Sequence, residues 1–226
     1  MLTLDEPERR NALTSGLVAA IVDAVAAAEA DDEVGAIVVT GAPPAFCSGA
    51  DTKSLDALSQ DPGQSGDVQG IYEGFLSIRN CSLPTVAAVN GAAVGAGFNL
   101  ALCCDVRIAG ESARFDSRFA RIGLHPGGGH TWMLERAVGP QGAAAMVMFG
   151  ERIDGARAAE VGLAWRCVPD ESLANEAVDF AAHAAEVPRD LARAIKTTLR
   201  EAPWHPDFPT AIAVELERQR ASFLAR

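Results

Sequence analysis

A chain of 226 residues is long for one average domain, yet short enough for a single α/β layer structure with a substantial core; with 49% hydrophobic and 6% aromatic residues, Ala, Val, Leu and Ile must build that core. The net charge of −11 excludes general nucleic-acid or anionic-membrane affinity, which runs on surplus Lys and Arg, but leaves room for a small anionic ligand where a few cations cluster. There is no long uninterrupted apolar run, and Asp5, Glu6 and Glu8 carry the wrong charge sign for a signal peptide, so the expectation is a cytoplasmic protein without membrane insertion.

Residues 14 to 30 place Leu17, Ile21, Ala24, Val25 and Ala28 at helical spacing, with Thr14 or Ser15 as N-cap. Ala36-Ile37-Val38-Val39-Thr40 is short, β-branched and closed by Gly41-Ala42-Pro43-Pro44, which fits a strand buried on both faces of a parallel sheet. Residues 59 to 70 are polar and rich in Gly, Pro and Ser, and predict a mobile surface loop, followed by a helix around Tyr72 to Arg79. Thr85-Val86-Ala87-Ala88-Val89 is a second buried strand; it feeds a glycine-rich turn and a helix over Phe98 to Cys103. Val106 to Ala109 predicts a third strand, and Ala113-Arg114-Phe115 opens the next element. From Trp132 the chain reads as largely helical to its end, punctuated at Gly139-Pro140, Gly150, Asp154-Gly155 and Gly162. The five cysteines, Cys47, Cys81, Cys103, Cys104 and Cys167, show no CxxC spacing, so neither a disulfide framework nor a metal site is expected. Cys103 and Cys104 read as small apolar residues on a helix surface.

Two turns carry chemical interest. Gly91-Ala92-Ala93-Val94-Gly95-Ala96-Gly97 opens a helix after a strand, where free N–H groups can face an anion. Its spacing also occurs in dinucleotide-binding dehydrogenases, but it lies far from the N-terminus, and the sole tyrosine, Tyr72, has Leu76 instead of Lys four residues on. The second turn, Phe46-Cys47-Ser48-Gly49-Ala50-Asp51, follows another buried strand. Two such turns can converge on one ligand oxygen and stabilise an oxyanion with fixed donors. Taken singly, either is an ordinary tight connection.

The segments Pro7 to Leu13, Phe46 to Asp51, Asn90 to Ala101, Cys104-Asp105 and Gly123 to Gly129 together resemble the enoyl-CoA hydratase/isomerase (crotonase) superfamily, and Ala156 to Leu163 with Val168-Pro169 resemble its later helix and strand. The resemblance implies an α/β fold: a ββα spiral core over residues 1–170 and a C-terminal helical trimerisation region over 171–226, assembled as trimers or dimers of trimers. It implies an acyl- or enoyl-CoA thioester as substrate or ligand in fatty-acid metabolism, with no tightly bound cofactor. The backbone N–H groups of Ala50 and Ala96 would form the oxyanion hole. Ser48, Gly49, Asp51, Thr52 and Lys53 would lie along the adenine and pantetheine, Arg9, Arg10 and Lys53 near the phosphates, and Val94, Gly95, Asn99, Phe119 and Gly127 around the acyl end. Each of these cations is otherwise a solvated surface charge, and Asp51 and Asp105 read as structural carboxylates.

The chain departs from the family where hydration needs its acids. Hydratases place glutamates where this sequence has Asn99 and Phe119, and an aspartate used by other members is replaced by Gly127. An amide cannot take a proton from water at neutral pH, so ordinary hydratase activity is expected to be weak or absent. Among the remaining groups, His125 falls closest to the acyl chain and is the acid–base candidate; His130, Asp116 and Glu135 are further titratable groups in the region. The first strand is expected to be short or missing, and the end at Arg226 to leave the pocket more open. A non-catalytic acyl-CoA carrier and a trimeric scaffold stand as alternatives to an enzyme.

Overall fold

The computed structural model describes residues 1–51 and 66–224, and its strands form two sheets. The first is parallel and ordered β1 (Leu2–Leu4), β2 (Ile37–Gly41), β4 (Thr85–Val89), β6 (Val106–Gly110) and β9 (Arg166–Val168). The second is ordered β3 (Ala45–Cys47), β5 (Ala92–Val94), β7 (Arg114–Asp116) and β8 (Ile153–Asp154), with only the β7–β8 pair antiparallel. Three strands of the first sheet hand the chain to one of the second: β2 to β3, β4 to β5, β6 to β7. Helices return it to the first sheet, so the core is a ββα spiral followed by a helical C-terminal region, as expected.

The apolar runs become strands because both their faces are covered. Ile37 and Val39 face the main core, Val38 the opposite side, where Val86, Ala88 and Ile108 meet Leu173, Ala177 and Ala181 of α6 (Leu173–Ala185). On the main side, α1 (Ser15–Ala30) buries Leu17, Val18, Ile21 and Val25, and its N-cap Thr14 accepts a hydrogen bond from Leu17 N at 3.1 Å. Asn11, fully buried, donates to the carbonyls of Ala42 (2.9 Å) and Ala45 (2.8 Å) and so pins the N-terminal segment to the β2–β3 turn. The helix α3 (Ala96–Cys103) is buried at all eight positions, Cys103 among them.

The structure corrects two details. Residues 59–65 of the expected loop lie outside the described residues, but Gly66 to Gly70 belong to α2 (Gly66–Asn80) instead. Ile71, Phe75 and Ile78 give this helix a buried stripe, and that packing overrides the local Gly and polar content. The glycine-rich turn before α3 contains the strand β5, and the helix starts at Ala96, not Phe98. The C-terminal half adds α4 (His130–Val147), bent at Gly139-Pro140, then α5 (Gly155–Glu160), α7 (Arg189–Glu201) and α8 (Phe208–Leu224). Among the described residues, no helix is long and apolar enough to cross a membrane.

Candidate active site

The parallel pairing of β3 with β5 sets Cys47 opposite Ala93, so the turns leaving these strands meet. Gly49 has φ +94°, and a Cβ on it would lie 2.5 Å from the Val94 carbonyl oxygen and 3.4 Å from the Ala96 nitrogen. Only glycine allows this approach. The first turn is tied to the N-terminal segment by Leu13 N donating to Gly49 O (2.8 Å), Ser48 N to Arg10 O (3.0 Å) and Ser48 Oγ to Arg9 O (3.2 Å). The second is held by Gly95 N donating to Asp116 O (2.9 Å). Ala96 opens α3, so its N–H has no acceptor within the helix. At the next residue, a Cβ on Gly97 would collide with the Cys47 carbonyl, which fixes α3 against β3.

One turn further along α3, Asn99 is 1% exposed and uses both ends of its amide. Its Nδ2 donates to Gly127 O at 3.0 Å, and its Oδ1 lies 2.7 Å from His130 Nδ1. An amide oxygen only accepts, so Nδ1 carries the imidazole hydrogen. In neutral His130 the Nε2 is then an acceptor, and Ser117 Oγ, 2.8 Å away, donates to it. Ser117 and His130 are both buried. The ring of His130 packs edge-on between Phe98 and Phe119, with centroids 5.2 and 5.1 Å away. Burial pushes its pKa down to about 4, so the imidazole is neutral at pH 7.

The other expected site residues distribute as follows. Exposed Arg9 and half-buried Asp51 line one cavity of about 430 Å³ with Thr14, Ser15 and Glu73. Arg10 is exposed with φ 52°. Thr52 and Lys53 lie outside the described residues. Phe119 is half-buried and reaches the Gly95 turn, where an added Cβ would lie 3.8 Å from its ring. Gly127 leaves no space for a side chain beside the Tyr72 hydroxyl. His125 stands exposed, its Nδ1 2.7 Å from the Pro126 carbonyl oxygen. Asp116 is buried and committed to Arg118 at 3.0 Å and Arg121 at 3.7 Å, and Glu135 pairs with Arg136 near the surface. Asp105 is structural: it accepts from Thr85 N and Oγ1 and pairs with Lys196 at 2.6 Å.

Sequence reasoning set His130 beside His125 and passed over Ser117. The usable signal was the spacing of His130, Met133 and Leu134, one buried helical face, and the lone polar Asn99 within an otherwise apolar helix.

Residues 1–223 match the family model described as enoyl-CoA hydratase/isomerase. A Mycobacterium tuberculosis protein named probable enoyl-CoA hydratase EchA14 is 50% identical over 200 residues, covering 88% of this chain and 77% of that protein. The 1,2-epoxyphenylacetyl-CoA isomerase of Escherichia coli is 33% identical over 222 residues, covering 97% and 84%. The crystal structure of an enoyl-CoA hydratase from Polaromonas sp. JS666 superposes with a TM-score of 0.90 at 33% identity, covering 97% of this chain and 86% of that one. The chain belongs to the enoyl-CoA hydratase/isomerase family, the crotonase superfamily.

Proposed function

We propose that this protein binds an acyl- or enoyl-CoA thioester, polarises its carbonyl between the N–H groups of Ala50 and Ala96, and stabilises the resulting enolate, while being a poor hydratase. Family membership supports the ligand class. The meeting of the Gly49 and Gly95 turns supports the donor pair, since preset amides stabilise a developing oxyanion without reorganising. A phosphate contact by Arg9 is supported by its exposure in the cavity it lines with Asp51 and Glu73.

The observation that carries the second half is the engagement of Asn99. Its amide N–H donates to Gly127 O and its oxygen accepts from His130 Nδ1–H, so the position holds no carboxylate to activate water. Phe119 supplies none either. Absence of a positioned acid–base group costs a factor of about 10² to 10⁴. Self-association through the C-terminal helices belongs to the same reading. It is supported by α8, which buries no residue and exposes Phe208, Ile212, Leu216 and Leu224.

The test pairs calorimetric titration of butyryl-CoA with an assay of crotonyl-CoA hydration. Saturable binding with hydration at least 100-fold below that of a two-glutamate hydratase is expected, and Asn99→Glu with Phe119→Glu should raise the rate. Hydration at ordinary hydratase rates in the unmodified protein refutes the account of the acids. Failure to bind refutes the CoA assignment.

A further inference from the structure

The chain Asn99 Oδ1, His130 Nδ1–H, His130 Nε2, Ser117 Oγ–H runs through distances of 2.7 and 2.8 Å with every donor and acceptor role fixed by its neighbour. This is the arrangement in which a hydroxyl is activated by an imidazole whose tautomer a third group selects. Its end lies beside the turn that carries Ala96. β5 pairs with β7 in the register Val94 opposite Asp116, Gly95 N donates to Asp116 O, and Ser117 is the next residue. A Cβ on Gly95 would lie 3.9 Å from Ser117 O. Nothing in enolate stabilisation requires this chain.

We infer that Ser117, His130 and Asn99 act as nucleophile, base and orienting group in the hydrolysis of acyl-CoA thioesters, through an acyl-Ser117 intermediate. The inference rests on the CoA reading above. Ser117 Oγ bonds to the thioester carbonyl carbon as its proton passes to His130 Nε2, and the oxyanion is held at the Ala96 turn. The C–S bond breaks with its electron pair going to sulfur, which takes the proton from His130 and leaves as free CoA. Water then attacks the ester carbonyl, gives its proton to Nε2, and the acid departs as Ser117 Oγ recovers a hydrogen. The sum is thioester plus water giving carboxylic acid plus CoA thiol.

Two features set the rate. Asn99 fixes the tautomer but brings no negative charge to stabilise the imidazolium, so turnover is slow. The ring of Phe119, half-buried on the exposed turn Arg118 to His125, packs edge-on against His130, and in this proposal it swings aside to admit the acyl group.

The test incubates the full chain with butyryl-CoA and follows free CoA by chromatography, because the half-buried Cys167 thiol would react with disulfide reagents. Peptide mass spectrometry locates any acyl group. A burst of CoA release close to one per chain, with acyl on Ser117, is expected. Ser117→Ala should lower release at saturating butyryl-CoA at least 100-fold, Phe119→Ala raise it several-fold, and Asn99→Asp raise it about 10-fold. Calorimetric binding with neither CoA release nor an adduct in the unmodified protein overturns the inference and leaves the CoA assignment intact, whatever the variants do. An acyl group on a cysteine alone also overturns it. Absence of binding removes both.

Discussion

Two polar clusters, one holding the buried Lys196 and one the buried Asn99, solve the cost of burial in opposite ways. Around Asp105, charges are kept and paired: Lys196, 6% exposed, donates to Asp105 Oδ2 at 2.6 Å and to the Leu83 carbonyl at 2.5 Å, Thr85 N and Oγ1 donate to the same Oδ2, and Arg200 faces Oδ1. Around Asn99, charge is absent: an amide, a hydroxyl and an imidazole satisfy one another, and the imidazole stays neutral because burial penalises its charged form. The first arrangement ties α7 to the end of the first sheet. The second holds three uncharged residues from separate elements beside the proposed site. A protein can therefore use ion pairs where it needs an anchor and neutral networks where it needs a reactive hydroxyl.

The sharpest way to break this contrast is Asp105→Ala, which strands the Lys196 cation. A loss of about 3 kcal/mol is expected in urea unfolding at pH 7; a loss under about 1 kcal/mol would show that the lysine escapes to water. Acid should separate the clusters next. His130 titrates near 6.5 when unfolded and about 4 when folded, so the unfolded state takes up its proton first. Stability from this group is therefore undiminished above pH 6.5 and falls between pH 6.5 and 4 by on the order of 3 kcal/mol. The urea midpoint of the unmodified protein should drop over that window by more than that of His130→Gln, and equal drops would contradict the assignment.

Much of this framework could be read directly from the chain, and what escaped has physical causes. Ile37 to Thr40 and Thr85 to Val89 announce themselves as strands because burial on both faces demands unbroken apolar runs. β3 and β5 are three residues long and exist through pairing with each other across some 47 positions, as Ala45 does with Ala92, which no local pattern encodes. His125 and His130 differ little in sequence context. One stands in water and the other is closed off by Phe98 and Phe119, contacts from distant segments. Lys196 hides in the same way, since only its i, i+4 relation to buried Ala192 marks its inward face.

Smaller perturbations sharpen the comparison. Asn99→Asp converts the neutral cluster into a charged one, and the carboxylate facing Nδ1–H should raise the His130 pKa by at least one unit, read by NMR titration. An unmoved pKa would mean that the side chain at 99 no longer faces the ring. Arg200→Gln removes the outlying partner of Asp105, which sits 3.7 Å away and one-third exposed. A cost below about 1 kcal/mol is expected from thermal unfolding, because solvent screens such a pair.

The absence of any clearance at Gly97 has a consequence for substrate breadth. With α3 wedged against the Cys47 carbonyl, that wall of the proposed cleft cannot retreat to make room for a bulkier acyl group. Accommodation would then fall to the turn that carries Phe119, where Ile122 and Leu124 are 49% and 45% exposed. Chain-length preference should accordingly be tunable there by exchanging single side chains, with the carbonyl-binding machinery left in register.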